Sequence, residues 1–229
     1  MKTKIENILM QRVKENNFSG IWMPDNSFYF FVGSLVNRNI PLEKAWNFPY
    51  ELSNRMEVKE LTPELIEGTS VDVLKELVFK PKALHRYHYI VTQLKSSATQ
   101  ILSKYNGITE NIWLEAKDVT DLYNRLLAFS GIGQKVSSMM ILMLLESKII
   151  NFENKEQSEL PLDTHVIRVL TRLGYIRKEM LPLAQKVSPE YPAKLDTVLF
   201  GIGTNVCYPR KPKCYLCPFN KYCDYNNKT

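Results

Sequence analysis

The sequence predicts an all-α fold. Apolar residues recur at helical spacing through most of its 229 residues, alternating strand patterns are nearly absent, and clusters of turn-forming residues separate the periodic segments. Ile5, Ile8, Leu9 and Val13 share one face of a first helix, which turn formers between Asn16 and Asn26 close. Phe28 to Val36 favours β structure by residue type, yet its unbroken apolar length predicts a buried helix. Pro41, tolerated in a first turn, opens the next helix. Helices are expected over 70–79 and 83–105, the second stopped by Asn106-Gly107. Asp118 or Thr120 caps a helix running to Phe129. After Gly131-Ile132-Gly133 the segment 135–146 is apolar nearly all round and so predicts a central helix. The polar stretch 151–159 interrupts the pattern, and helices resume over 163–173 and within 179–199.

Composition narrows the partner. Thirty basic against 24 acidic side chains give a net charge of +6. From Cys207 to Thr229 five cations face one anion, so most of that excess lies at the C-terminal end. Such a distribution favours an anionic partner. The longest apolar run, Met139 to Leu145, is far short of the roughly 20 residues that a membrane span needs. Met1 to Glu15 is charged throughout, unlike a secretory leader, so a soluble intracellular protein is expected.

All four cysteines lie between positions 207 and 223, which argues for a metal site over a dispersed disulfide framework. Cys207, Cys214, Cys217 and Cys223 make the pattern C-x6-C-x2-C-x5-C. Thiolates this close in one segment can converge on a single cofactor without help from distant parts of the chain. Zinc takes four thiolates, usually from two short pairs, and only Cys214 and Cys217 form such a pair. The unequal outer arms suit the corners of a larger body, an iron–sulfur cubane, with zinc as the alternative.

The run Cys207-Tyr-Pro-Arg-Lys-Pro-Lys-Cys214-Tyr-Leu-Cys217-Pro-Phe-Asn-Lys-Tyr-Cys223 resembles the [4Fe–4S] loop of endonuclease III-type DNA glycosylases. The resemblance implies a structural cluster, and DNA phosphate contacts from Arg210, Lys211 and Lys213. Upstream, Leu126 to Ser138 joins two helical patterns through Gly131-Ile132-Gly133-Gln134. Two glycines permit positive φ and leave the backbone uncovered, with helix-start amides ready for a phosphate. This segment resembles the helix-hairpin-helix motif of the same superfamily, although Phe129-Ser130-Gly131 stands where Leu-Pro-Gly is usual. Lys135 falls at the position of the catalytic lysine of the bifunctional members. A lysine in a helix's first turn feels the positive dipole end, and burial disfavours its charge further, which frees the amine as a nucleophile.

Pro161-Leu-Asp163-Thr-His165 resembles the family's catalytic aspartate segment. Asp163 also precedes a helix, where aspartate serves as an N-cap, and the two roles can coexist. As a catalytic group it would stabilise positive charge on the sugar and assist proton movements at Lys135. Arg38 and Asn39 fall where the family carries a turn that fills the gap left by a flipped base. Lys80 to Tyr89 mixes cations and aromatics, a composition suited to nucleic acid, but reads as an ordinary helix start. His85 and His88 lack a nearby third metal ligand.

The resemblance therefore implies a two-domain helix-hairpin-helix glycosylase fold. Residues 27–150 would form a helical barrel, and 1–26 with 151–229 a cluster domain. The expected activity is a base-excision DNA glycosylase and AP lyase acting as a monomer on duplex DNA that carries a damaged base or abasic site, cytoplasmic and nucleoid-associated. A water-using monofunctional glycosylase and a non-catalytic iron–sulfur DNA-binding or electron-transfer protein are the alternatives.

Overall fold

A computed structural model describes residues 1–16, 23–38 and 40–227, and among these there are twelve α-helices, four short 3₁₀ turns and no strand. The chain divides into two compact units. One comprises Met1–Ile21, Asp118–Thr120 and Ile141–Thr229; the other comprises Trp22–Lys117 and Asp121–Met140.

The second of these units contains α2 (Ser27–Val36), α3 (Leu42–Arg55), α4 (Pro63–Gly68), α5 (Val71–Phe79), α6 (Tyr89–Lys104) and α7 (Asn111–Leu114). Helix α8 (Val119–Leu127) and the first half of α9 (Gln134–Glu146) complete it. Side-chain caps begin three of them: Asn26 accepts from Tyr29 N, Thr62 from Leu65 N and Ser70 from Val73 N. Helix α2 is the buried helix expected from its apolar run, since every residue from Phe28 to Val36 is enclosed. Gly33 allows α3 to close on it, because a Cβ there would stand 2.7 Å from the Trp46 ring.

Helix α6 starts at Tyr89, six residues later than the pattern predicts. Tertiary hydrogen bonds explain the delay. The Arg55 guanidinium donates to the carbonyls of Leu77, Lys80 and Lys82 at 2.6–2.9 Å, holding this backbone outside any helix. His85 is buried within the segment. Its Nε2 lies 3.1 Å from the Val36 carbonyl, at the end of α2, and its Nδ1 accepts from Tyr87 N at 3.2 Å. Both bonds require the neutral ring with its proton on Nε2. Burial, with a smaller push from Arg86, lowers its proton affinity below the ordinary histidine value. The unfolded chain then binds a proton at a pH where the native state does not. The stabilisation is therefore complete above about pH 6.5 and declines as pH falls below it. We expect the wild-type urea midpoint to drop between pH 7.5 and 5.5 by more than that of His85→Gln; parallel pH profiles would refute the assignment.

The other unit packs α1 (Lys2–Glu15) against α11 (Arg177–Val187) and α12 (Leu195–Asn205), and α10 (Thr164–Arg172) against the same two helices. The predicted stripe of α1, Ile5, Leu9 and Val13, enters one core with Val166, Leu170, Leu183 and Leu199. Polar ties flank that stripe. Lys2 Nζ meets Glu179 at 2.8 Å, Lys186 Nζ meets Glu6 at 2.6 Å, and Asn16 Nδ2 donates to Thr197 at 2.7 Å. The helices expected within 179–199 are α11 and α12, separated by Pro189 and a 3₁₀ turn at Pro192–Lys194, where proline cannot donate to a preceding helical carbonyl.

Candidate active site

Residues 128–133 join α8 to α9 as a tight hairpin. Two apolar anchors fix it. Phe129 is buried with its ring edge-on to Phe31 at 4.9 Å, and Ile132 is buried beyond the turn, donating its N–H to the Phe129 carbonyl at 3.1 Å. Between them Gly131 adopts φ +95°, and a Cβ at that position would lie 2.5 Å from the Gln93 carboxamide. The positive φ favours glycine here, and any larger residue would also have to displace the Gln93 carboxamide. Gly133 meets a different demand: a Cβ there would point into open space, and both Gly133 and Gln134 are exposed. Gly133 caps α9, its carbonyl accepting from Val136 N and Ser137 N. First-turn amides have no partner within their own helix and are suited to an anion. The side chain of Ile132 belongs to the core, so only its backbone is available to a ligand.

Lys135 is the second residue of α9, half-buried and followed by the buried Val136, Ser137 and Ser138. The preceding helix is braced by a pair that sequence reasoning did not single out. Asp121 accepts from Lys117 N at 2.9 Å and from Arg125 Nε at 3.2 Å, and these bonds hold its carboxyl below the usual carboxylate range. Arg125 also donates to the carbonyls of Asn111 and Glu115. Arg38 follows α2 and is exposed, while Asn39 lies outside the described residues.

In the other unit, Asp163 caps α10, its Oδ1 accepting from Val166 N at 2.7 Å. The side chain is half-buried. One turn on, His165 packs against Phe200, and Gly203 of α12 approaches so closely that a Cβ would stand 2.7 Å from His165 Cβ. Arg168 donates to the carbonyls of Gly203 (2.7 Å) and Cys207 (2.8 Å). Arg172 donates to the carbonyls of Tyr208 (2.7 Å) and Pro209 (2.9 Å) and to Cys207 Sγ (3.2 Å). The Arg172 carbonyl accepts from Cys223 Sγ at 3.2 Å. One residue thereby joins both ends of the cysteine loop.

All four cysteines are free thiols lining one cavity, with Arg172 and Tyr225 in its wall. Burial raises the proton affinity of Cys214 and Cys217, and the neighbouring thiols raise it further. Four thiolates so placed repel one another unless a cationic body lies among them. Among the described residues no three His, Cys, Asp or Glu side chains converge as the ligands of a single ion. Arg210, Lys211 and Lys213 are exposed on the loop's first arm, where Lys211 adopts φ +51° and Lys213 N donates to the Val206 carbonyl at 2.9 Å. The residues missed from sequence are thus Gln93, Asp121, Arg125 and Arg172. The i, i+4 spacing of Asp121 and Arg125 is the one local signal among them; Gln93 and Arg172 act through partners distant in the chain and carry none.

The architecture is the all-α helix-hairpin-helix glycosylase fold. The particular likeness is to endonuclease III. A non-covalent endonuclease III–DNA complex superposes with a TM-score of 0.74 at 17% identity, covering 100% of this chain and 97% of that one. A trapped endonuclease III–DNA covalent intermediate gives 0.70 at 17% identity, over 100% and 98% of the two chains. A thermostable thymine-DNA glycosylase gives 0.65 at 16% identity, over 99% and 97%. By sequence, endonuclease III homolog 1, chloroplastic, of Arabidopsis thaliana is 25% identical over 175 residues, 71% of this chain and 40% of the relative. The homolog 2 of the same plant is 23% identical over 219 residues, 90% of this chain and 50% of the relative. Endonuclease III of Sulfolobus acidocaldarius is 23% identical over 176 residues, 73% of this chain and 69% of the relative. The chain spans half or less of the length of the two plant relatives. No family model matches it. Among the described residues no helix is long and apolar enough to cross a membrane.

Proposed function

We propose that this protein is a base-excision DNA glycosylase with associated AP lyase activity, working through a Schiff base on Lys135. The observation that carries the reading is Lys135 in the first turn of α9, directly behind a hairpin built on Gly131 and Gly133, in a fold shared with a trapped endonuclease III–DNA covalent intermediate. The substrate is duplex DNA containing a damaged base or abasic site, bound by a monomer. The target nucleotide leaves the stack, because its glycosidic carbon is out of reach within it. The Lys135 amine attacks C1′; the C1′–N bond breaks and the base departs with a proton. The sugar ring opens to a protonated Schiff base, the C2′ proton is lost, and the C3′–O bond breaks as the strand is nicked. Asp163 stabilises the positive charge that develops on the sugar and assists proton transfer during the reaction.

The hairpin residues Gly131, Ile132, Gly133 and Gln134 hold a phosphate through their backbone, and Arg210, Lys211 and Lys213 contact others. Asn39 is assigned to fill the gap left by the flipped base, and Arg38 to reach the base opposite. Cys207, Cys214, Cys217 and Cys223 fit a [4Fe–4S] cluster, with zinc as the alternative: they line one cavity, and their clustered thiols gain from a cationic centre. When bound, the cluster serves as a structural core for the basic loop.

Asp163 has two separable roles, and asparagine separates them. Asn caps helices about as well as Asp, whereas Ala forfeits the cap at roughly 1 kcal/mol. Asp163→Asn is therefore expected to keep the wild-type melting temperature and DNA affinity while base release slows on the order of 10²-fold. Asp163→Ala should lose stability as well. Unimpaired base release in Asp163→Asn would confine the residue to capping.

The reading as a whole is tested by borohydride trapping on duplexes carrying an abasic site, thymine glycol, uracil or 8-oxoguanine. A covalent adduct is expected on the abasic duplex and on the duplex bearing the cognate base. Alkali-labile sites without an adduct would indicate a glycosylase that uses water, and neither product on any duplex would overturn the proposal.

A further inference from the structure

The segment ahead of α6 carries an arrangement of which the reading above uses Arg38 alone. Tyr87 and Tyr89 are stacked, with ring centroids 5.2 Å apart and planes inclined by 13°. The Arg86 guanidinium lies 4.9 Å from the Tyr87 ring centre, and the Arg38 guanidinium, from the turn after α2, lies 5.7 Å from that of Tyr89. The order is arginine, tyrosine, tyrosine, arginine, drawn from two separate stretches of chain. Both arginines are exposed, and Tyr89 is 38% exposed. His85 holds the two stretches together through its bonds to Val36 and Tyr87.

A guanidinium over an aromatic face is held in place, and its planar set of N–H donors matches phosphate oxygens. Lys82 adds positive charge nearby in sequence, whereas Lys80 is paired with Glu76, and Arg38 makes no ion pair among the described residues. The array is also continuous with the hairpin. Tyr89 and Gln93 are one turn apart on α6, and the Gln93 carboxamide is the group packed against Gly131. A nucleic-acid strand on the hairpin amides thus has this array as its neighbour in the same unit.

We infer that Arg38 and Arg86, held in place by Tyr89 and Tyr87, form a second phosphate clamp for duplex DNA, additional to the hairpin and the cysteine loop. The inference rests on the DNA-binding reading above and assigns the two tyrosines as positioning residues. Free cations on a solvated surface would contribute by charge alone; a clamp also depends on the rings beneath them.

The experiment measures the affinity of the full chain for a duplex carrying a tetrahydrofuran abasic analogue, over a range of salt. Each phosphate contact contributes about 0.9 to the slope of log K against log salt. Arg38→Gln with Arg86→Gln should therefore flatten that slope by about 2. Tyr89→Leu leaves the charge unchanged, yet should weaken binding about two- to fivefold, matching the loss of an exposed cation–π contact of about 0.5–1 kcal/mol. Tyr89→Phe should bind as wild type does, and melting temperatures confirm that each variant is folded. An unaltered slope in the double arginine variant, or wild-type affinity in a folded Tyr89→Leu, overturns the clamp alone. A wild-type chain that fails to bind the duplex overturns the DNA-binding reading with it.

Discussion

Replacing Lys135 with alanine is expected to abolish borohydride trapping and strand nicking, a loss on the order of 10³-fold or more, while duplex binding stays within a few-fold of wild type. The asymmetry follows from what each group does. Binding rests on backbone amides around Gly133 and on several separate cations, none of which the substitution touches. The chemistry rests on one amine that must form and release a covalent bond to carbon, a role that alanine cannot fill. The half-buried position also makes the change mild for the fold: the first turn of α9 is anchored by Ile132 and Val136, both buried, and alanine is a better helix former than lysine. Trapping on the abasic duplex and a melting curve together check the claim. A trapped adduct of wild-type yield from Lys135→Ala would assign the nucleophile to another amine.

Cys217→Ser is expected to lose the cluster and to open the loop around it. The two arms are not equally secured. The first is pinned to α10 by the bonds of Arg168 and Arg172 to the carbonyls of Cys207, Tyr208 and Pro209, which do not involve a thiolate. The segment around Cys214 and Cys217 forms only a 3₁₀ turn, with Tyr215 77% and Leu216 58% exposed. Its order depends on ligation, since metal binding and local folding are one equilibrium in such sites. Wild-type protein prepared without oxygen should be brown and carry iron and sulfide in equal amounts; the variant should be colourless and open to proteolysis between Arg210 and Cys217. The salt dependence of DNA binding should also flatten, because Arg210, Lys211 and Lys213 lose their frame. One zinc per wild-type chain, with no iron, would replace the cluster with a single ion.

How much of this was legible depended on whether a residue's partners were local. The burial of Phe28–Val36 followed from composition alone, because an apolar run of that length has only an interior to occupy. The Asp163 cap is a contact across three residues, and the cysteine cavity gathers its four thiols from 17 consecutive positions, so both could be read from spacing. The delayed start of α6 could not be. It depends on Arg55 donating to carbonyls 22 to 27 residues away, and no local pattern encodes which carbonyls an arginine will find. The same holds for Gln93 against Gly131 and for Arg172, whose reach of 35 to 37 residues to the first arm of the cysteine loop exists only once α10 and that loop are packed. The positions proposed to carry chemistry stand out through their motifs. The residues that orient them were hidden.

The ties of α1 bear on how the molecule is made. Lys2, Glu6 and Asn16 bond to Glu179, Lys186 and Thr197, separations of 177 to 181 residues. At a synthesis rate of about 5–20 residues per second, α1 precedes its partners by roughly 10–40 s. Its apolar stripe has no core to join throughout that interval. The unit formed by Trp22–Lys117 and Asp121–Met140 draws on a nearly continuous stretch and can close while the rest of the chain is still emerging. The hairpin lysine is therefore assembled early, and the aspartate and the cysteine loop are assembled last, when the nascent N-terminal helix at length finds its place.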